Sequence, residues 1–298
     1  MAKHSLTARP WSPSSLETLA VCPYKFALRG VFGLRQRDEA VAIEQLDPRT
    51  RGLLFHEIQR RLGEALRDEK QLPITNDNLQ LVLGRLEIVL ATTASEYAEK
   101  LAPAIPRVWD SEIDSLRTDL RGWLHHHATN EYDWEPSHFE QKFDVTLEHV
   151  TLRGMIDVIE QRGESVRVSD YKTGKAPETI PRWVGGGQHL QPLLYALAAE
   201  QLLGARVDCG RLVHATQRGG FTTVQIPLDD RARQFLAKLL VDIGYLLSSG
   251  FLPPVPAKDA CMFCDYRMVC GPYEERRISK KDLRDERLDA LVEIRGMA

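Results

Sequence analysis

The spacing of hydrophobic residues changes its period along the chain. Apolar residues recur every three or four positions up to about residue 131 and again in the C-terminal half, as on one face of an amphipathic helix. This pattern predicts a helix at 14–34, one from about 51 to 67, two or three within 77–131, one at 188–203, one at 230–249 and a charged one from 274 onward.

A second pattern, with short apolar runs bounded by polar turns, begins near Phe139 and is typical of strands. It predicts strands at 139–148, 150–161, 165–171, 209–215 and 222–227. Pro192 is compatible with the 188–203 helix only in its first turn.

Composition narrows the class of protein without naming a function. The 298 residues are 43% apolar and 27% charged, with a formal net charge of −3, so any surface for a polyanion must be a local patch. No run of apolar residues is long enough for a membrane span, and the N-terminus lacks a signal-peptide core, so we expect a cytoplasmic protein. In a reducing compartment the five cysteines favour metal ligation over disulfides.

Two aspartates and a lysine lie on the second and third predicted strands. Asp157 interrupts the apolar run 155–159, while Asp170 and Lys172 end the next strand two residues apart and therefore share a face. If the turn centres on 162–164, Asp170 is a direct or diagonal neighbour of Asp157. Such a pair can hold Mg²⁺, and an adjacent ammonium can orient a water and offset charge in a phosphoryl-transfer transition state. The alternative is a pair of exposed strand-end charges, which the apolar setting of Asp157 disfavours.

Four of the cysteines form a second candidate metal site. Cys261, Cys264 and Cys270 have the spacing of a ligand cluster, and Cys22 could supply a fourth thiolate from the other end of the chain. Four thiolates suit either tetrahedral zinc or a [4Fe–4S] cluster, and the spacing alone does not separate them. Cys209 stands alone before a predicted strand and is interpreted as a small core residue.

Four ordered motifs resemble the RecB-like branch of the PD-(D/E)XK nuclease superfamily, over roughly residues 12–272. They are the RG…H helix (Arg51 to His56), the GxxD strand (Gly154 to Asp157), the D-Y-K strand (Asp170 to Lys172) and the QxxxY helix (Gln191 to Tyr195). Each motif alone is weak, whereas the ordered set is specific. The resemblance implies a restriction-endonuclease-like α/β fold, a mixed sheet of four or five strands with helices on both faces.

The same resemblance implies roles for individual residues. His56, Asp157 and Asp170 would be ligands of Mg²⁺ or Mn²⁺, with the Tyr171 carbonyl completing the shell, and Lys172 would be the catalytic lysine. Gln191 and Tyr195 would touch the DNA strand or steady the site. Glu140 matches an upstream glutamate of the branch, which could bind a second metal ion, could support the metal ligands from behind, or could be an exposed strand charge.

The cysteine segments around Cys22 and Cys264 are similar to the iron–sulfur staple of AddB-type and CRISPR-adaptation nucleases, although Asp265 stands where those relatives often have proline. The resemblance therefore favours a [4Fe–4S] cluster, with zinc as the less favoured occupant. The expected organisation is one nuclease domain over 1–298, with a helical insertion at 57–135, a core at 136–250, staple segments at 11–30 and 256–272, and a charged tail at 273–298.

Function is expected to be metal-dependent hydrolysis of DNA, as an exonuclease on single strands or ends, in DNA repair, recombination or CRISPR adaptation. Basic residues that could contact phosphates are Arg51, Lys175, Arg182 and the stretch 276–281, although a solvated face is the simpler interpretation of that last stretch.

The run His125–His127 is interpreted as a solvated helix end, because three consecutive helical residues cannot face one metal. Two alternatives to a free-standing nuclease are kept. One is an accessory subunit or excised nuclease domain of a helicase–nuclease complex that binds DNA ends for a helicase or CRISPR-adaptation partner, since the chain lacks a P-loop motif. The other is a zinc-stapled protein–protein adaptor.

Overall fold

A computed structural model describes residues 5–35, 46–177, 183–281 and 284–297. Its centre is one five-stranded sheet in the order β1-β2-β3-β4-β5. The strands are β1 (Glu135–Leu147), β2 (Val150–Arg162), β3 (Ser165–Lys172), β4 (Cys209–His214) and β5 (Thr223–Pro227). Strands β3 and β4 are parallel, whereas the other three pairings are antiparallel, so the sheet is mixed as predicted.

The helices occupy both sides of this sheet. They are α1 (Pro13–Val21), α2 (Pro23–Phe26), α3 (Pro48–Asp68), α4 (Leu79–Leu101), α5 (Pro106–Asn130), α6 (Gln191–Leu203), α7 (Asp230–Ser249), α8 (Arg267–Cys270), α9 (Glu274–Ile278) and α10 (Asp289–Gly296). The parallel strands β3 and β4 are joined through α6, as a parallel pair requires a crossover connection. Pro192 lies in the first turn of α6, where its missing N–H costs nothing.

Two hydrophobic cores lie on opposite faces of the sheet. The first core packs α1, α6, α7 and α10 against one face, and the second packs α3, α4 and α5 against the other. The adjacent residues Leu212 and Val213 belong to different cores because successive side chains of a strand point to opposite faces. This arrangement confirms the prediction of a mixed α/β fold with helices on both faces, and it is consistent with a restriction-endonuclease-like fold.

The prediction of one continuous helix at 14–34 is wrong, because the segment is divided at Cys22. Helix α1 ends at Val21, Cys22 is extended with φ −160°, and α2 begins at Pro23. Proline lacks an N–H and disfavours helical backbone in the residue before it, so the chain breaks at Cys22. A single π-helical turn, Ala27–Val31, follows α2.

The predicted charged helix from residue 274 onward is also wrong. The tail instead contains the short α9 and, after a 3₁₀ turn at Glu286–Leu288, the separate α10. Leu291 and Ile294 of α10 are buried in the first core, so this segment is packed rather than solvated. The stretch between α9 and α10 carries few apolar residues and cannot offer a comparable face to the core.

Other element boundaries differ by a few residues from the prediction. Helix α3 begins at Pro48, because the Asp47 side chain accepts hydrogen bonds from the backbone N–H groups of Arg49 and Thr50. Strand β1 begins at Glu135, four residues before the predicted start. Cys209 is buried, as expected of a small core residue. Among the described helices, none combines the length and apolar character that crossing a lipid bilayer requires.

The prediction that His125–His127 form a solvated helix end is wrong for His127. This residue is only 4% exposed, and its Nε2 lies 3.9 Å from Glu160 Oε1. Helix α5 lies on the sheet, so one position of the run necessarily points inward, and Trp123 packs edge-on against the His127 ring.

Candidate active site

Asp157 and Asp170 come together where β2 and β3 separate. The ladder between these strands ends at the pair Val158 and Ser169, and Asp157 and Asp170 are the next residues in line on the two strands. Of the two registers open to the sequence, the structure adopts the one that places the aspartates opposite each other. The Tyr171 N–H donates to Asp157 Oδ2 at 2.7 Å, which fixes this carboxylate beside β3.

Lys172 lies on the same side of the site as Asp170. Its ammonium contacts Asp170 Oδ2 and donates a hydrogen bond to Gln191 Oε1 at 2.9 Å. Gln191 is the first residue of α6, so the end of β3 and the start of α6 hold the lysine between them. The ammonium is therefore placed beside the carboxylates and is still partly exposed to solvent.

His56 reaches the aspartates from the opposite face of the sheet. It projects from α3, and its Nδ1 lies 3.4 Å from Asp157 Oδ2. Glu140 is also close enough to affect His56 and Asp157 electrostatically, and its Oε2 lies 3.4 Å from Arg60 Nε. Glu140 has φ +46°, an uncommon backbone conformation for a non-glycine residue, and the register of β1 on β2 on either side of it places it opposite Asp157. The structure thus brings both His56 and Glu140 to the aspartate pair.

Burial and mutual repulsion dominate the electrostatics of the site. Burial, followed by the nearby charge of Asp170, raises the pKa of Asp157 to about 8, against the hydrogen bond from the Tyr171 N–H and the charge of Lys172. Burial lowers the pKa of His56, although Asp170 acts in the other direction. Burial likewise raises the pKa of Glu140. A neutral imidazole can donate its lone pair to a hard cation, and binding of such a cation would displace the proton that the raised pKa of Asp157 favours.

The carboxylate oxygens of Asp157 and Asp170 and the imidazole nitrogen of His56 are suitable ligands for a divalent cation, although they do not form a preformed coordination shell. Asp170 Oδ2 is buried and accepts no hydrogen bond of normal geometry, even though the Lys172 ammonium lies against it. Across the part of the chain that the structure describes, no three His, Cys, Asp or Glu side chains converge tightly enough to be a preformed metal site. The two carboxylates repel each other. The Lys172 ammonium contacts an oxygen of Asp170 and the Tyr171 N–H donates to an oxygen of Asp157, and both contacts offset part of that repulsion.

Tyr171 and Tyr195 occupy different faces of the sheet. The Tyr171 ring packs edge-on against Trp123 in the second core, so only its backbone faces the aspartates. Tyr195 is buried in the first core against Phe143, with ring centroids 5.7 Å apart. Burial, followed by the charges of Asp170 and Asp157, raises the pKa of Tyr195, which therefore remains a neutral phenol beside the site.

Glu17 is a site residue that sequence reasoning missed. It lies on α1, and its Oε1 accepts hydrogen bonds from the backbone N–H groups of Leu190 (2.8 Å) and Gln191 (3.1 Å). Burial raises the pKa of Glu17 to about 7, against those two hydrogen bonds and the charge of Lys172. The two partners are 173 and 174 residues away in sequence, and no local pattern signals such a contact.

A buried ionic network on the other face of the sheet was also missed. Glu160 of β2 is fully buried and accepts hydrogen bonds from Arg167, Ser169 and Arg211. Both arginines also pair with Glu131 at the end of α5. An alternation of acidic and basic residues on adjacent strands was the available signal, but it does not distinguish an exposed ladder from a buried one.

The basic residues predicted to contact phosphates have varied surroundings. Arg51 is held by Asp119 at 2.7 Å and by Ser115 at 3.1 Å. Arg277 donates to the Gly271 carbonyl, and Lys281 donates to the Pro254 carbonyl. Arg182 lies outside the described residues. Arg51, Arg277 and Lys281 thus support local structure.

The four cysteines of the predicted staple line one cavity of about 430 Å³. Cys22 reaches it from the break between α1 and α2, and Cys261, Cys264 and Cys270 reach it from the segment that ends in α8. Burial raises the pKa of Cys22, and the neighbouring Cys264 and Cys270 raise it further. The Ala257 N–H donates to the Val21 carbonyl at 2.7 Å, which joins the two segments beside the cavity.

Comparison with known proteins connects this geometry to a family. The profile of the PD-(D/E)XK nuclease superfamily matches residues 10–271. Two phage proteins, each called the gene 69 protein, are 28% identical over 138 residues (Mycobacterium phage L5) and 26% identical over 138 residues (Mycobacterium phage D29), and both matches span 45% of this chain. A CRISPR-associated exonuclease Cas4/endonuclease Cas1 fusion from Geobacter sulfurreducens is 30% identical over 141 residues, 45% of this chain.

These matches span only 44%, 48% and 23% of the respective relatives, so the chain covers less than half the length of each. A solved structure from Eubacterium rectale, assigned as an exonuclease, aligns over 86% of both chains with a TM-score of 0.45 and 11% identity. The superfamily profile covers helices α1 to α8, the sheet and the aspartate pair described above, and it confirms the family predicted from the motifs. The chain therefore belongs to the PD-(D/E)XK nuclease superfamily.

Proposed function

We propose that this protein is a Mg²⁺- or Mn²⁺-dependent exonuclease that hydrolyses single-stranded DNA or DNA ends, with its active site at Asp157, Asp170 and Lys172. The observation that carries the proposal is the position of the two aspartates, opposite each other at the point where β2 and β3 separate, with the lysine ammonium against one of them. The name of the Cas4/Cas1 fusion joins an exonuclease to an endonuclease, so it supports nuclease activity, and the experiment below separates the two modes of cleavage.

The roles divide among the side chains by their chemistry. Asp157 and Asp170 supply carboxylate oxygens and His56 a neutral imidazole nitrogen, the donor types that would hold the divalent ion. When bound, that ion supplies positive charge for the phosphoryl oxygens and lowers the pKa of an attacking water. Lys172 orients the water and offsets negative charge that develops in the transition state.

The residues around this set orient it rather than react. Gln191 holds the Lys172 ammonium through its side-chain oxygen. The Tyr171 N–H fixes Asp157, and the Tyr171 carbonyl is proposed as a further oxygen ligand. Glu140 is proposed as an acid that acts on the site through His56 and Asp157 rather than on DNA directly, because its closest described contact is Arg60.

We propose further that the four cysteines bind a [4Fe–4S] cluster, with zinc as the alternative occupant. What supports this is the donor set: four thiols from two distant segments line one cavity. Ligation there would fasten the break between α1 and α2 to the segment 261–270 and would contribute directly to folding.

The experiment that tests the nuclease proposal uses end-labelled linear DNA, single- and double-stranded, and a circular single strand, each with Mg²⁺ or Mn²⁺. We expect degradation of the linear strands, no cleavage of the circle, and a loss of about 100-fold or more in rate for Lys172→Ala and Asp170→Asn. Asp144→Asn, which removes an exposed aspartate of β1 paired with Arg153, is the matched control and should digest DNA normally. Wild-type rates in Lys172→Ala would refute the assignment.

A further inference from the structure

We propose that Glu17 is a positioning residue of the nuclease: its carboxylate holds the first turn of α6 and thereby sets Gln191 against the ammonium of Lys172. This inference rests on the proposed catalytic role of Lys172. The argument follows a chain of contacts through three elements, from α1 to α6 to β3.

Helix α6 has no cap of its own at its N-terminus. The residue before it, Leu190, carries no side chain that could accept a hydrogen bond, and Pro192 has no N–H at all. Glu17 supplies the missing acceptor from α1, taking both the Leu190 and the Gln191 N–H on one carboxylate oxygen. The first N–H groups of a helix lack partners within it, and negative charge there is favoured by the helix dipole.

The same residue of α6 that Glu17 holds by its backbone holds Lys172 by its side chain. Gln191 Oε1 accepts from the lysine ammonium at 2.9 Å, while the ammonium also contacts Asp170. A lysine has four flexible torsions, so two fixed partners are needed to give its ammonium one position. Displacing the start of α6 removes one of those partners, and small misplacements of a catalytic group lower rates strongly.

Helix α1 is a firm support for Glu17 because its C-terminal end is tied down. Arg295 of α10 donates to the carbonyls of Ala20 (2.9 Å) and Val21 (3.0 Å). Leu16 and Leu19, on either side of Glu17, are fully buried in the first core. The carboxylate is therefore presented to α6 from a packed element rather than from a loop.

The test compares Glu17→Ala and Glu17→Gln with a capping control elsewhere. Asp229 caps the start of α7 by accepting the Ala232 N–H at 2.7 Å. Asp229→Ala therefore removes a helix cap that has no part in the contacts from α1 through α6 to β3. Melting temperature, kcat and KM are measured for each protein on a labelled single-stranded oligonucleotide with Mn²⁺. A glutamine at position 17 keeps an oxygen acceptor for both N–H groups, so it should rescue most of the lost activity.

We expect Glu17→Ala to lower kcat about tenfold or more with little change in KM, the signature of a misplaced reacting group. Because both variants lose a helix cap, Glu17→Ala and Asp229→Ala should lower the melting temperature by similar amounts. Asp229→Ala should leave kcat unchanged. The double variant Glu17→Ala/Gln191→Ala should be no slower than Gln191→Ala alone, because both changes break one pathway.

Wild-type kcat in Glu17→Ala, or additive losses in the double variant, would overturn the inference while Lys172→Ala remains inactive. An active Lys172→Ala protein would instead refute the proposed function on which the inference rests. The two failures are therefore distinguishable within one set of proteins.

Discussion

Gly210 of β4 lies directly against the backbone of Pro192 in α6: a Cβ added at Gly210 would be 2.0 Å from the Pro192 carbonyl oxygen. Both groups belong to the main chain, so neither can rotate away as a side chain could. The absence of a side chain at Gly210 lets the first turn of α6 lie close to the sheet, where Gln191 of that turn contacts Lys172.

Gly210→Ala is therefore expected to destabilise the protein by about 1–3 kcal/mol through overpacking. It should also lower nuclease activity, because α6 can relieve the clash only by moving away from β4. Gly84→Ala is the matched control, since a Cβ at this position of α4 meets nothing within 4 Å. Chemical unfolding should show Gly84→Ala as neutral or slightly more stable, and equal stability of the two variants would contradict the packing argument.

The buried network around Glu160 makes a second prediction, on stability at pH 7. Glu160→Gln removes the fully buried one of the two carboxylates that Arg167 and Arg211 share and leaves both guanidinium groups with Glu131 alone, so it should cost about 3–5 kcal/mol in the free energy of unfolding. Asp144→Asn, which removes only an exposed ion pair, should change that free energy by about 0.5 kcal/mol or less. Urea unfolding monitored by circular dichroism measures both, and a cost for Glu160→Gln as small as that of the control would contradict the prediction.

The same carboxylate predicts a pH dependence of stability. Burial alone would raise the pKa of Glu160, but Arg211, the nearby His127 and Arg167 outweigh it and hold the pKa well below its ordinary value of 4.5. The unfolded chain therefore takes up this proton first, so the stabilisation is complete above about pH 4.5 and is lost as pH falls through the folded-state pKa. Wild-type stability should fall more steeply below about pH 4.5 than that of Glu160→Gln, and parallel profiles would be the contrary result.

The proposed [4Fe–4S] cluster predicts a brown protein that contains iron. Replacing Cys22 or Cys264 by alanine should then remove the iron and the colour and lower the melting temperature. Cys209→Ala is the control, because this buried cysteine of β4 lies outside the cavity that the other four line. Its iron content should equal that of the wild type in metal analysis of the pure proteins. One zinc per chain and no iron in the wild type would contradict the iron–sulfur proposal and support the zinc alternative. Full metal content in Cys264→Ala would exclude these cysteines as ligands.

The sequence predicted the sheet and the aspartate pair well because both depend on short-range patterns. Alternation along β2 and β3 and the two-residue turn between them, Gly163 and Glu164, determine that Asp157 and Asp170 share a face. The break at Cys22 could also have been predicted, because a proline follows this residue. The helical spacing of Leu16, Leu19 and Phe26 favoured a continuous helix instead.

What could not be predicted depends on contacts between distant segments. Glu17 looks like an ordinary solvent-facing residue of an amphipathic helix until α6 packs its uncapped end against it. His127 likewise became a buried partner of Glu160 only through the packing of α5 on the sheet. Local periodicity describes one element at a time, whereas these positions are defined by two.

The central claim is that Asp157, Asp170 and His56 hold a divalent ion beside Lys172, and Mn²⁺ binding measured by titration calorimetry tests it most directly. The wild type and Lys172→Ala should both bind Mn²⁺, because the ammonium is not a ligand, whereas Lys172→Ala should not cleave DNA. Asp157→Asn and Asp170→Asn should lose binding, and Asp144→Asn should keep it. Unchanged Mn²⁺ affinity in both Asp157→Asn and Asp170→Asn would contradict the account.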